Sequence, residues 1–155
     1  MSEASIQTRP FTILLVEDSP VQQALTRRAL EDSTLEADLR VVDDGVAALQ
    51  YLRGEGEYAD RTAHPLPDIV LLDLNMPRMN GHEFLSRLKS DAKLAHIPVT
   101  VLTTSNADAD ATASYARGAS AFVTKPAEYG KFVELLSALG QFWAHFVKVP
   151  PPSAN

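Results

Sequence analysis

Five short apolar runs, each followed by a polar cluster and then by residues at helical spacing, constrain the fold more than any other feature of this sequence. Such runs between turn-forming residues are typical of buried strands. The predicted strands are Phe11–Val16, Asp38–Val42, Asp68–Leu72, Pro98–Leu102 and Ser120–Val123. The predicted helices cover about 20–31, 45–53, 81–90, 107–117 and 127–146. Because strand–helix–strand crossovers are right-handed, this alternation predicts an α/β fold with a parallel sheet covered by helices on both faces.

Local signals support the predicted boundaries. The stretch Ser19–Gln22 predicts a capping box with Pro at the first helical position, and Asn80–Glu83 repeats the pattern before the third helix. Gly54 and Gly118 are expected to end helices. The residues at 55–67, which include two Pro and several charges, are expected to form a surface loop.

Length and composition predict one domain. The chain has 155 residues, enough to bury a real core. We expect a folded domain at 11–146, a flexible N-terminus at 1–10 and a Pro-rich tail at 147–155. The sequence has no secretory signal, no Cys and no apolar run of the roughly 18 residues that span a bilayer. We therefore expect a cytoplasmic protein that contacts no membrane.

The charge balance argues against nucleic-acid binding. The formal net charge of −6 is unfavourable for a protein that must displace counterions from a phosphate backbone. No phosphate-binding or dinucleotide-binding glycine motif is present. The four His residues have no metal-ligand spacing and are expected at the surface; they are His64, His82, His96 and His145.

Charged and hydroxyl side chains stand where the predicted strands end. They are Glu17, Asp18, Asp73, Thr103 and Lys125. A parallel sheet binds its ligand at the carboxyl ends of its strands, and in the flavodoxin-like order 2-1-3-4-5 strands 1 and 3 are neighbours about 4.8 Å apart. Carboxylates this close to one another are costly without a cation, and Mg²⁺, a hard ion that prefers oxygen ligands, is the expected one.

Each of these residues then has an expected chemical role. Asp73 is the predicted nucleophile, Lys125 the counter-charge to phosphoryl oxygens, and Thr103 a hydroxyl donor to one of them. Each also has an ordinary structural explanation when taken alone. Asp18 can flank a helix start, Asp73 can initiate a turn, and a single Lys at a strand end is usually solvated. Their joint placement at successive strand ends is what chance explains poorly.

Four stretches together closely resemble the receiver domains of bacterial response regulators. They are Leu14–Pro20, Asp68–Gly81, Val101–Ser105 and Phe122–Pro126, and the resemblance runs from about Phe11 to Phe146. It implies a phosphoacceptor of a two-component system, which takes a phosphoryl group from a partner sensor histidine kinase and accelerates only its own phosphorylation and dephosphorylation. Its output would be through protein–protein contacts.

The resemblance also implies the role of each site residue. Asp73 would be phosphorylated, with Glu17, Asp18 and the backbone carbonyl of Asn75 around Mg²⁺. Thr103 and Phe122 would form a switch pair, and the peptide bond before Pro126 would be cis. Many receivers have two Asp where this chain has Glu17 and Asp18, and the longer Glu side chain can reach the metal through a water. Asp18 is therefore the expected direct ligand.

Two further interpretations concern function. The long loop after the second helix and the C-terminal aromatic residues resemble single-domain regulators paired with phytochrome-type histidine kinases. The alternative from another class is a Mg²⁺-dependent phosphatase of the haloacid-dehalogenase kind, which also places a nucleophilic Asp at a strand end. Such enzymes use a second acid two residues later, where this chain has Asn75, which cannot protonate a leaving group. A receiver-like protein that is never phosphorylated is disfavoured because every acceptor residue is present.

The C-terminal helix predicts a homodimer. Beyond Gly140 the helix should run past the sheet, which leaves an exposed aromatic cluster of Phe142, Trp143 and Phe146. A symmetric contact through helix 4, strand 5, helix 5 and this extension would cover the cluster. The alternative is that the tail folds back over its own domain.

Overall fold

The sheet has five parallel strands in the order β2-β1-β3-β4-β5. The computed structural model describes residues 11–76 and 79–146, with only the backbone of His145 and Phe146. The predicted flexible N-terminus and Pro-rich tail lie outside these residues. The observed order is the predicted one, and it places β1, β3 and β4 in the interior of the sheet.

Every predicted strand and helix is present, with ends that differ from the prediction by one or two residues. The strands are β1 (Phe11–Val16), β2 (Ala37–Val42), β3 (Ile69–Leu72), β4 (Val99–Thr103) and β5 (Ala121–Thr124). The helices are α1 (Pro20–Asp32), α2 (Gly45–Arg53), α3 (Gly81–Ser90), α4 (Asp108–Ala116) and α5 (Tyr129–Gly140). A short 3₁₀ helix covers Gly56–Tyr58, and a π-helical turn at Gln141–Phe146 continues α5.

Two apolar cores cover the two faces of the sheet. In β1, Leu14 and Val16 pack in the first core with α2 and α3, whereas Ile13 and Leu15 pack in the second with α1 and α5. This alternation follows from the two-residue period of a strand. Because both faces of β1 are covered, its residues are apolar except for Thr12, and the charged residues come only after its end.

The predicted caps form, with one difference. The Ser19 hydroxyl accepts a hydrogen bond from the Gln22 N–H at 3.2 Å, and Asn80 Oδ1 accepts one from the Glu83 N–H at 2.9 Å. The Ser19 N–H, however, donates to Glu17 Oε2 at 3.2 Å. In the predicted capping box the Gln22 side chain would accept a hydrogen bond from the Ser19 N–H. Glu17 takes that role here, so the side chain of Gln22 is available for another partner. Gly54 ends α2 with φ of 68°, a conformation that favours glycine.

Buried hydrogen bonds hold the long segment after α2 against the domain. Arg61 donates to the carbonyl oxygens of His64 and Leu52 at 2.9 and 2.7 Å. The Tyr51 hydroxyl donates to the carbonyl oxygen of Pro65 at 2.8 Å, and the His64 ring packs edge-on against that of Tyr51 at 5.9 Å. His64 thus belongs to an aromatic cluster, which corrects the expectation of a plain surface position.

The predicted C-terminal aromatic cluster is only partly exposed. Phe142 is 54% exposed, but Trp143 packs partly against the second core. The reason is that Gly140 lets the end of α5 approach Leu35, whose Cβ lies 2.7 Å from the position that a Cβ of Gly140 would take. The helix end therefore still finds an apolar surface beyond β5. The side chain of Phe146 lies outside the described residues.

Among the described residues, no helix is long and apolar enough to cross a bilayer.

Candidate functional site

Three carboxylates meet at the carboxyl edge of the sheet. Val16 and Leu72 are register partners at the ends of β1 and β3, so the residues that follow them lie side by side. The Asp73 N–H donates to the Val16 carbonyl oxygen at 3.0 Å and extends this pairing by one residue. One oxygen from each of Glu17, Asp18 and Asp73 lies within 4.8 Å of the others. The predicted convergence of these side chains is thus present in the structure.

Glu17 is buried and paired with Lys125. The two side chains are 3% and 7% exposed, and Lys125 Nζ lies 3.0 Å from Glu17 Oε1. The same ammonium donates to Gln22 Oε1 at 3.2 Å. A buried pair of this kind is stable only when its remaining donors and acceptors are satisfied, and here Gln22 and the Ser19 N–H supply those contacts. Glu17 is therefore largely occupied by protein groups, which leaves Asp18 and Asp73 as the freer carboxylates.

Two glutamines of α1 belong to the site although the sequence pattern did not single them out. Gln22 accepts a hydrogen bond from the Lys125 ammonium. Gln23 Nε2 donates to the Glu17 carbonyl oxygen at 2.6 Å and to Asp43 Oδ1 at 2.8 Å. Their position in the first turn of a helix that begins at the sheet edge is the only signal that could have found them.

Burial and a neighbouring carboxylate together raise the pKa of the Asp73 carboxyl. Burial first, and the nearby Glu17 carboxylate second, raise the pKa of Asp73 to about 6. The Lys125 ammonium, the Thr103 hydroxyl and the Asn75 backbone N–H act in the opposite direction but only offset part of this rise in pKa. The ionised form of Asp73 is therefore less favourable in the folded protein than in water.

Thr103 and Lys125 are held together by the sheet. Thr103 ends β4 and is fully buried, and its carbonyl oxygen accepts a hydrogen bond from the Lys125 N–H at 2.7 Å. None of the described peptide bonds is cis, so the expectation of a cis bond before Pro126 is wrong for this structure. Trans is the lower-energy form of such a bond, and with it the Lys125 side chain already reaches Glu17.

The second predicted switch residue lies one strand further along. Phe122 is in β5, opposite Val101 of β4, and its ring is partly buried against the first core. Its N–H donates to the hydroxyl of Tyr115 at 3.0 Å, and Tyr115 is itself 52% exposed. Phe122 thus lies between the core and the solvent-facing side of α4.

Gly81 fixes the segment that follows Asp73. Its N–H donates to the Leu74 carbonyl oxygen at 2.8 Å. A Cβ at this position would lie 2.6 Å from Leu74 Cα and 2.7 Å from the Asp73 carbonyl oxygen, and neither backbone atom can move cheaply. Asn75 lies inside this segment with an exposed side chain. The start of α3 therefore packs directly on the backbone of Asp73, which only a glycine permits.

The donor set suits a hard divalent cation. The three clustered side chains offer only carboxylate oxygens, which Mg²⁺, Ca²⁺ and Mn²⁺ prefer. Burial is the largest cause of the raised pKa of Asp73, and repulsion from the Glu17 carboxylate is the second. A cation would relieve that repulsion, so the residues present fit a metal site centred on Asp18 and Asp73, with Glu17 beside them.

The chain is similar to known proteins over most of its length. Response regulator Rcp1 of Synechocystis sp. is 37% identical over 141 residues, which are 91% of this chain and 94% of that protein. The probable methanogenesis regulatory protein FilR2 of Methanothrix harundinacea is 35% identical over 144 residues, which are 93% of this chain and 90% of that protein.

Solved structures show the same fold. The phosphorylated cyanobacterial phytochrome response regulator RcpA has a TM-score of 0.84 at 37% identity, covering 92% of this chain and 100% of RcpA. The Mn²⁺-bound form of Rcp1 has a TM-score of 0.80 at 37% identity, with coverage of 92% and 100%. Residues 13–137 match the model of the response regulator receiver domain. The chain therefore belongs to the response regulator receiver domain family and is a two-component response regulator.

Proposed function

We propose that this protein accepts a phosphoryl group on Asp73 in a Mg²⁺-dependent reaction, in the cytoplasm, from a partner histidine kinase. The observation that carries the proposal is the cluster of three carboxylates within 4.8 Å of one another, bordered by a buried ammonium and a buried hydroxyl from neighbouring strands. The family assignment leaves the phosphatase interpretation without support.

The chemistry asks little of the protein beyond placement and charge. A carboxylate oxygen of Asp73 forms a bond to phosphorus while the bond from phosphorus to the donor imidazole nitrogen breaks, and that nitrogen recovers its electron pair. Glu17, Asp18, Asp73 and the backbone carbonyl of Asn75 would hold Mg²⁺, which would supply positive charge to offset the negative charge of the carboxylates and the phosphoryl oxygens.

Lys125 and Thr103 complete the site. The Lys125 ammonium, now shared between Glu17 and Gln22, contacts a phosphoryl oxygen in the product. The Thr103 hydroxyl, which already lowers the pKa of Asp73 by hydrogen bonding, donates to another. Both groups stand on neighbouring strands and need only side-chain rotation to do so.

The signal leaves through the face formed by α4, β5 and α5. A phosphoryl group adds roughly −1.5 to −2 charge and new acceptor oxygens, which draw Thr103 inward. Phe122, half-buried between the first core and the outer side of α4, then turns into the space that Thr103 leaves. This shifts a two-state equilibrium on that face, and the output is binding to another protein.

The partner is a sensor histidine kinase, which we propose to be of the phytochrome type. RcpA is described as a phytochrome response regulator, whereas FilR2 is described as a methanogenesis regulator. Two bacteriophytochrome response regulators, RtBRR and AtBRR, are 42% and 41% identical to this chain, against 35% for FilR2, which favours the first partner class. We further propose a homodimer that buries Phe142 and includes Trp143 and Phe146.

The test is metal-dependent labelling from a small phosphodonor such as acetyl phosphate. The wild-type chain should gain one acid-stable, base-labile phosphoryl group with Mg²⁺ and none in excess EDTA. Asp73→Asn should gain none, and the matched control Asp108→Asn, an exposed acid in α4, should behave as the wild type. Equal labelling in EDTA would refute the metal site. Steady turnover of small phosphate esters would instead indicate a phosphatase.

A further inference from the structure

A continuous chain of polar contacts runs from Thr103 to α3. The Ser105 N–H donates to Thr103 Oγ1 at 3.3 Å. The Ser105 hydroxyl donates to Asp110 Oδ2 at 2.6 Å, and Asp110 Oδ1 lies 3.3 Å from His82 Nε2. Ser105 also accepts a hydrogen bond from the Thr124 hydroxyl on its carbonyl oxygen at 3.2 Å. The loop between β4 and α4 is thus tied to β5, α4 and α3 through a single residue.

Both ends of this chain of contacts return to the proposed phosphoacceptor. At one end, the Thr103 hydroxyl hydrogen-bonds the Asp73 carboxyl. At the other, His82 directly follows Gly81, whose Cα packs against the Asp73 backbone so closely that no Cβ would fit. A displacement at Asp73 therefore reaches the same three side chains, Ser105, Asp110 and His82, from two directions.

Polar contacts matter at this place because α4 has little apolar attachment. Ser114 is the only buried residue of this helix, and its hydroxyl donates to the Asp110 carbonyl oxygen at 2.7 Å. The residue before the helix, Ala107, provides no side-chain cap. With few apolar contacts to hold it, the first turn of α4 is positioned mainly by what Asp110 binds.

The side chains of Ser105, Asp110 and His82 depend on one another for their hydrogen bonds. Hydrogen bonds from Ser105 and His82 lower the pKa of Asp110, which keeps it a carboxylate that can accept from both. His82 Nδ1 is buried without a hydrogen-bond partner among the described residues, so the ring is held on one side only, by Asp110. His82 is thus not the plain surface residue that its sequence context indicates.

We propose that Ser105, Asp110 and His82 form a latch that holds the β4–α4 loop and the first turn of α4 in the unphosphorylated arrangement. The proposal rests on Asp73 as the phosphoacceptor. When Thr103 is drawn toward phosphoryl oxygens, the Ser105 N–H must follow its acceptor or lose it, because the contact is already 3.3 Å long. If it follows, Ser105 shifts relative to Asp110; if it loses the contact, Ser105 loses one of the hydrogen bonds that position it, and in both cases the latch is weakened. Ser105 and Asp110 are positioning residues that act through Thr103.

The experiment measures the affinity of the protein for trifluoroberyllate, a phosphoryl mimic, in saturating Mg²⁺. The result then depends neither on a phosphodonor nor on the hydrolysis of a phosphorylated residue. Ser105→Ala removes the donating hydroxyl, and Asp110→Asn leaves a single acceptor oxygen, which cannot serve both Ser105 and His82 in the observed arrangement. Ser105→Thr keeps the hydroxyl and His82→Gln keeps an N–H donor. Asp108→Asn in the same helical turn is the control. Thermal unfolding of every variant is recorded in parallel to separate a positioning role from a structural one.

The latch predicts that Ser105→Ala and Asp110→Asn each bind trifluoroberyllate about threefold to tenfold more tightly than the wild type. This factor corresponds to the net loss of one hydrogen bond from the resting state. The double variant should gain less than the product of the two factors, because both substitutions weaken the same group of contacts. Ser105→Thr, His82→Gln and Asp108→Asn should stay within twofold of the wild type.

Two results would overturn the latch and leave the proposed function intact. One is a wild type that binds the mimic while Ser105→Ala and Asp110→Asn bind it equally well; the other is weaker binding by both variants, with or without a lower unfolding temperature. If one variant does not fold, the other decides. A wild type that binds no trifluoroberyllate in saturating Mg²⁺ would refute the proposed function itself, and the latch with it.

Discussion

Replacing Asp73 with Asn should make the metal-free protein more stable at neutral pH and leave its stability nearly unchanged in acid. Burial and the Glu17 carboxylate raise the pKa of the Asp73 carboxyl from 3.8 to about 6. Between these two values the folded protein holds a proton that the unfolded chain has lost. The free energy of unfolding therefore falls as pH rises through this window, and above it the ionised carboxyl is a constant cost.

The size of that cost follows from the shift in pKa. A shift of about two units corresponds to an upper limit of about 3 kcal/mol, at 1.36 kcal/mol per unit. Asp73 is only partly buried, so solvent screening reduces the expected cost to about 1–2 kcal/mol. Asn at this position keeps the size of the side chain and carries no charge. Asp73→Asn should therefore gain about 1–2 kcal/mol relative to the wild type between pH 4 and pH 7.5.

The assay is urea unfolding in EDTA at several pH values, followed through the fluorescence of Trp143, the single Trp of the chain. Trp143 lies against the second core, so it reports global unfolding. Added Mg²⁺ at pH 7.5 should stabilise the wild type, leave Asp73→Asn nearly unaffected and narrow the gap between them. A stability difference that stays constant across this pH range would refute the electrostatic account of the cluster.

Three further predictions concern other parts of the structure. Gly81→Ala should lower the free energy of unfolding by about 1–3 kcal/mol through overpacking and impair labelling, whereas Gly130→Ala, whose Cβ would meet nothing nearer than 3.8 Å, should do neither. Lys125→Met should destabilise the protein in EDTA by about 3 kcal/mol, because it leaves a buried carboxylate unpaired, and denaturant titration with and without Mg²⁺ measures this. Phe142→Ser should weaken self-association in sedimentation velocity, while Val21→Ser, which changes an equally apolar residue that is 73% exposed on α1, should not. A wild type that sediments as a monomer with and without phosphorylation would rule out the dimer.

The sheet and the position of the site could be predicted because they depend on local pattern. Each strand is marked by an apolar run, and the residue that directly follows the run lies at the carboxyl edge of the sheet. Glu17, Asp18, Asp73 and Thr103 therefore follow from strand ends alone, once strands 1 and 3 are neighbours. The observed order β2-β1-β3-β4-β5 makes them so.

The polar partners of the site could not be predicted because they depend on how the helices are rotated and placed. His82 and Asp110 are 28 residues apart and meet only because α3 and α4 pack side by side. Gln22 was expected to complete a capping box, but its carboxamide turns to Lys125, which directly follows β5 and is 103 residues away. Nothing in the sequence near any of these residues encodes the identity of its partner.

The end of α5 shows a third kind of limit. The helical spacing of Phe142 and Trp143 was recognised, but the prediction that both are exposed assumed that no apolar surface remains past β5. Leu35, in the connection between α1 and β2, provides that surface because Gly140 lets the helix approach it. A contact between segments this far apart in the chain leaves no periodic signal in either segment.

The account depends most directly on which residue carries the phosphoryl group. The protein is incubated with acetyl phosphate and Mg²⁺, the acyl phosphate is reduced with borohydride, and the modified residue is located by peptide mass spectrometry. The account predicts that the modified residue is Asp73. A modification at Asp18, at Glu17 or at any residue outside the cluster, with Asp73 unmodified, would contradict it.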